Sequence, residues 1–327
     1  MHKEIKQKFE LVQSIRNFFL TEGFLDVLTP PVVSHPGIEP HIHPFKVVPT
    51  QELNEEGTRD LYLHSSPEFC MKELLSHGLQ KIFTLNYSFR NERKSPHHRQ
   101  QFLMLEWYRA NEHYYKIMED CEKLWSFCHE EFLHKQVEKK AVRMTVSELF
   151  QKHLSMDILK YLEKGQLREF IIQNHPEVPL PEKEEDHNMT WDDYFFLLFL
   201  NKIEPQLKNY PFLILYEYPH HLSALSTIKA DNPLVCERFE IYIHGIEVAN
   251  CFNELCDLNI QKKRAEEGLL LKNQLYNYSL PTPNLLYRSL DRGLPPSSGV
   301  ALGVERWLMA LTNIKNPFLD TDNATTP

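Results

Sequence analysis

Two neighbouring segments in the first third of the chain carry polar and charged side chains among apolar ones with a strand-like period. The first segment is residues 83–92. In the second segment, alternate positions are occupied by Phe102, Met104, Glu106 and Tyr108, which would share one face of a strand. This period of two predicts two antiparallel strands. Glu106 would lose hydration between apolar neighbours unless a cation or a donor meets it, so the pattern indicates a site for an amine. The alternative is an edge strand with Glu106 in water and a surface ion pair between Arg90 and Glu92.

A second segment that could do chemistry covers residues 298–311, where glycines precede an apolar run. Gly299 and Gly303 let the backbone approach another group closely, and the run after Gly303 predicts a buried helix. Arg306 would lie in the first turn of that helix, where a cation opposes the helix dipole and needs an anion. A guanidinium is well shaped for phosphate. The alternative is a turn whose arginine pairs with a neighbouring carboxylate.

Together these segments resemble motifs 2 and 3 of the class II aminoacyl-tRNA synthetases, in particular of the lysyl branch. Residues 15–31 resemble motif 1, the helix and strand that form the dimer interface in that class. Segments at 66–68 and 245–254 are similar to its lysine and metal segments. The resemblance runs from about Phe9 to about Leu311. It implies an α+β fold, a class II synthetase catalytic domain in which an antiparallel sheet is flanked by helices.

The resemblance assigns roles to single residues. Its ATP-binding positions fall here on Arg90, Asn91, Glu92, His98, Arg99, Phe102, Glu247, Val248, Gly303 and Arg306. Its substrate-binding positions fall on Ser66, Pro67, Glu68, Glu106, Tyr108, Asn250, Glu254 and Ala301. Arg90 and Arg306 would be catalytic, and Glu247 and Glu254 would hold magnesium, which prefers oxygen ligands. Arg99 departs from the pattern, because the lysyl branch has asparagine there.

The chain lacks glycine-rich nucleotide motifs. None of its ten glycines forms a GxxxxGK[ST] or GxGxxG pattern, so neither a P-loop nor a dinucleotide fold is expected. The resemblance implies instead that ATP and Mg²⁺ serve an AMP-forming ligase. In such an enzyme a substrate carboxylate attacks the α-phosphorus and forms an aminoacyl-adenylate, which an amine then converts to an amide. Glu247 and Glu254 are seven residues apart and would face oppositely on a regular strand, so we expect a bend around 250–253.

The start of the chain indicates which kind of lysyl-branch protein the sequence resembles. The motif 1 helix begins within the first ten residues, so we expect no anticodon-binding barrel and no tRNA substrate. A freestanding domain of this kind resembles the elongation factor P lysine ligases, which transfer (R)-β-lysine to a lysine of that factor, so the expected substrate is (R)-β-lysine or lysine. Ala301 supports this reading, because lysyl-tRNA synthetases usually have glycine there. The alternatives are a minimal lysyl-tRNA synthetase-like ligase that acts on tRNA, and an inactive synthetase-derived regulatory or binding subunit.

Composition agrees with a cytoplasmic enzyme. The net charge of −9 argues against an extended nucleic-acid surface, and the six cysteines form no CxxC pair. The charged N-terminus does not resemble a signal peptide, and the apolar runs are too short to span a membrane. We expect one domain over 1–327, a helical insertion at about 138–211, a disordered tail at 316–327 and a homodimer formed through motif 1.

Local signals predict several element boundaries. Apolar residues recur every three or four positions from Ile5, so a helix is expected to run to about Gly23 and a strand to follow over 24–28. Ser66 could also be a plain helix N-cap with Pro67 in the first turn. Thr145 and Glu148 have the spacing of a capping box.

Overall fold

The computed structural model of the protein describes residues 2–48, 50, 60–182 and 189–318. The chain divides into two compact units. Unit 1 consists of Met1–Lys139 and Leu255–Pro327, and unit 2 is Lys140–Glu254. The expectation of one catalytic domain over the whole chain stays a prediction.

Helices and strands alternate along both units. The strands are β1 (Leu25–Asp26), β2 (Val32–Val33), β3 (Lys46–Val47), β4 (Leu61–Leu63), β5 (Lys81–Phe89), β6 (Gln101–Ala110), β7 (Val142–Thr145), β8 (Leu213–Pro219), β9 (Val235–Ile243), β10 (Ile246–Asn253) and β11 (Ser297–Gly303). The α-helices are α1 (His2–Thr21), α2 (Glu68–Ser76), α3 (Tyr114–Phe127), α4 (Val146–Leu154), α5 (Lys164–Asn174), α6 (Trp191–Leu198), α7 (Glu204–Leu207), α8 (Leu258–Tyr276), α9 (Asn284–Asp291) and α10 (Val304–Thr312). Unit 2 contains β7–β10 and α4–α7.

The main sheet of unit 1 has the strand order β1-β5-β6-β11. β5, β6 and β11 are antiparallel neighbours, whereas β1 runs parallel to β5. A parallel pair needs a long crossover, which residues 27–80 provide here. This crossover also contains a small antiparallel sheet of β2, β4 and β3. The α+β class is therefore confirmed, and the sheet is mixed rather than purely antiparallel.

Helix α1 covers one face of this sheet with the apolar side chains that the sequence pattern indicated. Ile15 and Phe19 are fully buried. The Phe19 ring lies 4.9 Å from Phe83 and 5.0 Å from Trp107, between ring centroids. Burial of such side chains stabilises the fold by roughly 1.5–3 kcal/mol each. The predicted helix up to about Gly23 is confirmed, since α1 ends at Thr21.

A buried ion pair also joins α1 to α10. Lys8 Nζ donates to Glu305 Oε1 at 2.5 Å, and both side chains are almost fully buried. Glu305 Oε2 accepts the backbone N–H of Leu103 on β6 at 3.0 Å. Removal of one partner of a buried pair leaves an uncompensated charge, so the pair fixes the start of α10 against the sheet. Arg306 is the next residue along this helix.

The strands of unit 2 follow one another in the order β10-β9-β8-β7. β7 is parallel to β8, and the other neighbours are antiparallel. Helices α4–α7 lie within the region of the predicted insertion, and Phe150, Phe195 and Phe199 form part of an apolar core beneath them. The capping box at the start of α4 is confirmed: Thr145 Oγ1 accepts from the N–H of Glu148, and Glu148 Oε2 accepts from the N–H of Thr145.

Two predicted boundaries differ from the structure or reach beyond it. The strand expected over 24–28 is limited to Leu25–Asp26, although the Val27 N–H still donates to Phe83 O at 2.9 Å. The tail predicted at 316–327 lies mostly outside the described residues, which end at Phe318. Phe318 itself is buried, and the Arg99 guanidinium lies 4.5 Å from its ring centroid.

Within the described ranges, every helix is too short or too polar to cross a membrane.

Candidate active site

Glu106 lies at the centre of the unit 1 sheet and is fully buried. Its cross-strand neighbours are Thr84 on β5 and Ala301 on β11, so all three share one face. Ser66 donates a hydrogen bond to Glu106 Oε1, and the Tyr108 hydroxyl donates to Oε2 at 3.2 Å. The expected amine site therefore has the buried carboxylate that the sequence indicated, and the alternative of an edge strand with Glu106 in water is wrong.

The start of α2 supplies a second carboxylate close to the first. The helix begins at Glu68 with Pro67 in the N-cap position, so the expectation of Ser66 as N-cap is wrong by one residue. Ser66 Oγ still accepts the N–H of Glu68 at 3.1 Å while it donates to Glu106. Lys72 Nζ donates to Glu68 Oε1 at 2.5 Å, and its side chain is 1% exposed. One serine hydroxyl thus connects both carboxyl-bearing segments.

The position opposite Tyr108 on β11 has room only for a glycine, which is Gly299. The two residues are partners in the β6–β11 ladder. A Cβ atom on Gly299 would lie 2.0 Å from Tyr108 Cε1, which is far inside van der Waals contact. The close approach expected of this glycine is therefore to the Tyr108 ring. Gly303 differs, since a Cβ there would meet the Arg306 side chain only at 3.9 Å.

We expect Gly299→Ala to push the Tyr108 hydroxyl away from Glu106, because the ring has to move. Overpacking of this kind costs about 1–3 kcal/mol. The variant should lower the melting temperature and raise KM for the amine substrate about tenfold in ATP–pyrophosphate exchange. Gly165→Ala is the matched control, since a Cβ there meets nothing within 4 Å. An unchanged KM in Gly299→Ala would contradict the packing account.

The loop between β5 and β6 brings the predicted nucleotide-binding residues together. Arg90 continues the ladder, since its N–H donates to Gln100 O at 2.8 Å, and its guanidinium lies 5.3 Å from the Phe102 ring centroid. Glu92 Oε2 lies 3.7 Å from His98 Nδ1. The neighbouring His98 imidazole lowers the pKa of the Glu92 carboxyl, and partial burial opposes this effect. The expected alternative of an ion pair between Arg90 and Glu92 is not what the structure shows.

Arg306 reaches this loop from the first turn of α10, as predicted. Its Nη2 donates to His98 Nε2 at 2.9 Å, and its Nε donates to His97 O at 3.4 Å. The same guanidinium and partial burial lower the pKa of His97, with burial the larger cause. A guanidinium and an imidazole side by side form a cationic group that suits phosphate. Gly303 caps this helix from β11.

Arg99 and Asn91 hold the loop to other parts of unit 1. The Arg99 guanidinium donates to the carbonyls of Ser95 and His98, the latter at 2.9 Å. The Asn91 N–H donates to His43 O at 2.7 Å. Arg99 is therefore bound to backbone, although the lysyl branch has asparagine at its position.

Unit 2 carries the remaining predicted residues on β10. The register with β9 shifts between Glu247 and Ala249, so Val248 is the extra residue of a β-bulge. One extra residue reverses the alternation, which brings Glu247 to the face that also carries Asn250 and Glu254. The bend was expected around 250–253, and that position is wrong. Two carboxylates on one face fit magnesium by the chemistry of their donor atoms.

Asn250 is held by a buried network on the same face of unit 2. Arg238 Nε donates to Asn250 Oδ1 at 3.1 Å, and Arg238 also donates to Glu240. Glu240 Oε2 accepts from the hydroxyls of Tyr218 and Tyr242, both at 2.6 Å. Burial, followed by the negative charge of Glu240, raises the pKa of both tyrosines. These phenols therefore stay protonated and act as donors.

The sequence pattern missed three residues that support the site. Lys72 lies four residues after Glu68, and this helical spacing was the available signal. Lys8 and Arg238 gave no such signal, because their partners are distant in sequence or become neighbours only through strand pairing.

Comparison with known proteins identifies the family. The profile of the family described as "tRNA synthetases class II (D, K and N)" matches residues 1–316. The chain is 36% identical over 301 residues to the elongation factor P–(R)-β-lysine ligase of Erwinia tasmaniensis, and 35% identical over 301 residues to that of Klebsiella pneumoniae. It is 34% identical over 299 residues to that of Salmonella heidelberg. Each match covers 91% of this chain and 88% of the relative. The buried carboxylates and clustered guanidinium groups thus lie in a chain that belongs to the class II tRNA synthetases (D, K and N), a family of ATP-dependent ligases.

Proposed function

We propose that the chain activates (R)-β-lysine with ATP as an aminoacyl-adenylate and transfers it to the ε-amino group of a lysine on elongation factor P. The observation that carries the proposal is Glu106, a carboxylate fully buried in the unit 1 sheet and met by Ser66 and Tyr108. A buried carboxylate between donors suits a substrate ammonium group. The relatives named as elongation factor P–(R)-β-lysine ligases support this choice of substrate and acceptor.

The first step needs positioning and charge stabilisation rather than a protein base. The substrate carboxylate attacks the α-phosphorus of ATP, and pyrophosphate leaves. Arg90 is assigned to the substrate carboxylate and the α-phosphate, and Arg306 with His98 to the terminal phosphates. Their cationic groups stabilise the negative charge that develops on the phosphate oxygens. Phe102 is assigned to stacking on the adenine and Glu92 to the adenine amino group. The other residues assigned to ATP binding are Asn91, Arg99, Val248 and Gly303.

Glu247 and Glu254 are assigned to magnesium. When bound, the ion would neutralise phosphate charge. The chemistry of the two carboxylates on one face of β10 supports the assignment, and Glu254 is buried while Glu247 is partly exposed. Asn250, fixed by Arg238, is assigned to the amino acid.

The second step forms an amide. A neutral amine of the acceptor attacks the acyl-adenylate carbonyl, AMP leaves, and the amine loses a proton to water. Glu106 and Tyr108 are assigned to the distal ammonium of the substrate, and Glu68 to its other amino group. Ala301 is opposite Glu106 and partly exposed, so its methyl group narrows the space beside this carboxylate. One methyl group changes selectivity by about 1–3 kcal/mol, which would favour one placement of the amino group.

We also propose a homodimer formed through motif 1. Large apolar side chains on α1, β1 and the residues after β1 are exposed in unit 1: Leu20 by 55%, Leu25 by 51% and Leu28 by 83%. Exposed apolar groups that lie together mark protein interfaces more often than single ones do. Their exposure in the single chain supports the proposed dimer, in which a second copy would cover them.

Amino-acid-dependent ATP–pyrophosphate exchange tests the activation step. We expect exchange with (R)-β-lysine to exceed that with α-lysine, and no exchange with aspartate or asparagine. The family also contains aspartyl and asparaginyl enzymes, so these two amino acids are the matched controls. Exchange with aspartate or asparagine instead of a lysine isomer would contradict the proposed substrate.

A further inference from the structure

We propose that Glu39 is a third carboxylate of the amino-acid site and contacts the proximal ammonium of the substrate, the one nearer its carboxyl group. The inference rests on the proposed function. Glu39 belongs to the segment between β2 and β3, and nothing in the sequence pattern singled it out.

The position of Glu39 places its carboxylate beside the serine pair before α2. Gly37 has φ +149° and leaves room for this arrangement. A Cβ atom on Gly37 would lie 2.8 Å from Glu39 Oε2 and 3.1 Å from Ser65 Oγ. Ser65 O accepts from Arg90 Nε at 3.4 Å, and the next residue, Ser66, donates to Glu106. The Glu39 carboxylate is therefore adjacent to the residues assigned to both ends of the amino acid.

The segment that carries Glu39 is fixed in place. Lys272 on α8 is fully buried and its Nζ donates to Pro40 O and Ile42 O, both at 2.7 Å. Burial lowers the pKa of Lys272 to about 8. On the other side, a Cβ on Gly268 would lie 2.9 Å from Ile38 O, so α8 packs directly against this backbone. Glu39 is thus held by its neighbours on both sides before any substrate binds.

Among the described residues the carboxylate itself forms no direct ion pair, although Arg90 and Lys272 are near enough to act on its charge. Its Oε2 accepts the N–H of Ile38 at 3.1 Å, and within the described part of the chain no lysine or arginine forms a salt bridge with it. Burial raises the pKa of Glu39 and the negative charge of Glu68 raises it further, against smaller opposing effects of backbone hydrogen bonds and Arg90. An ammonium group placed beside it would offset both effects, and Glu39 remains partly exposed and so can be reached.

The charges of the groups assigned to the amino acid also favour one more carboxylate. β-Lysine carries two ammonium groups and one carboxylate, and Arg90 is assigned to that carboxylate. Lys72 already neutralises one negative charge through its ion pair with Glu68. Glu68 and Glu106 then leave a single negative charge for two ammonium groups. With Glu39 the three carboxylates balance Lys72 and both ammonium groups, while the Lys272 ammonium, which Glu39 also attracts, is met by the carbonyls of Pro40 and Ile42. Glu68 and Glu39 would together meet the proximal ammonium, and Glu106 the distal one.

Two amino acids that differ in the proximal amine test this inference. The variant Glu39→Gln keeps the shape of the side chain and removes its charge. KM for (R)-β-lysine in pyrophosphate exchange should rise about 10–100-fold, the loss expected for a charged hydrogen bond. The inhibition constant of 6-aminohexanoic acid, which lacks the proximal amine, should stay within about twofold, as should KM for ATP. Glu169→Gln, an exposed substitution in unit 2, is the matched control.

Each outcome decides between the claims. An equal effect on β-lysine and 6-aminohexanoic acid, or no effect on either, overturns the role of Glu39 and leaves the proposed function intact. A wild-type protein that exchanges pyrophosphate with no lysine isomer overturns both. If Glu39→Gln does not fold, Glu39→Asp is measured in its place, since it retains the charge on a shorter side chain. We then expect KM for β-lysine to rise while the inhibition constant of 6-aminohexanoic acid stays unchanged. An equal rise in both constants would overturn the role of Glu39.

Discussion

Arg306→Ala is expected to lower kcat/KM for ATP about 10²–10³-fold in lysine-dependent pyrophosphate exchange. The guanidinium lies in the first turn of α10 and contacts His98 and the His97 carbonyl, so it is oriented before ATP binds. Removal of one oriented donor from a developing anion typically costs about 10²–10³ in rate. The fold should survive, because the neighbouring pair of Glu305 and Lys8 still anchors the helix.

Two variants make this result specific. Arg306→Lys keeps the charge but not the planar fork, and should recover only part of the rate. Arg292→Ala removes an arginine of unit 1 that bonds to Glu73 and Ser76, and should leave exchange unchanged. Exchange at the wild-type rate in Arg306→Ala would remove this residue from the nucleotide site. Absence of exchange in the wild type, with binding to elongation factor P intact, would favour a regulatory subunit.

Glu106→Gln should raise KM for (R)-β-lysine by about 30- to 4,000-fold, which corresponds to roughly 2–5 kcal/mol for loss of one partner of a buried charge pair. The amide is isosteric, and its oxygen can still accept from Ser66 or Tyr108, so the sheet should remain folded. The inhibition constant of 6-aminohexanoic acid should rise as well, because Glu106 is assigned to the distal ammonium. Weaker binding of both compounds distinguishes Glu106 from Glu39. Substitution of Glu39 is expected to weaken the binding only of compounds that have the proximal amine.

Tyr108→Phe provides the graded control for Glu106. It removes one donor to the carboxylate at 3.2 Å and keeps the ring that packs on Gly299. A rise of about 10- to 100-fold in KM is expected from the loss of one hydrogen bond to a charged group. A Glu106→Gln variant with wild-type KM for every lysine analogue would mean that the buried carboxylate does not bind the substrate amine.

The sequence pattern predicted the parts of the site that depend on local order. Strand alternation gave the face of Glu106, and the apolar run after Gly303 gave the helix with Arg306 in its first turn. The capping box of α4 was readable for the same reason, because both partners lie within one helical turn. Such features depend on residues that are neighbours in the chain.

Other features depend on contacts that the chain makes over long distances. Glu39 and Lys272 are separated by more than two hundred positions, so nothing in the local pattern indicates that α8 fixes the segment of Glu39. The bulge at Val248 was expected two to five residues later, because spacing required an extra residue between Glu247 and Glu254 without fixing its position. Packing against β9 decides that position, and packing is not visible in one strand alone.

The intact mass of elongation factor P after incubation with the protein, ATP, magnesium and (R)-β-lysine tests the central claim most directly. tRNA should be present as a competing acceptor, and Arg306→Ala serves as the negative control. We predict a mass gain of one lysyl unit on the factor, with the tRNA uncharged and no gain with the variant. Charged tRNA with an unmodified factor would contradict the account and identify a minimal tRNA ligase instead.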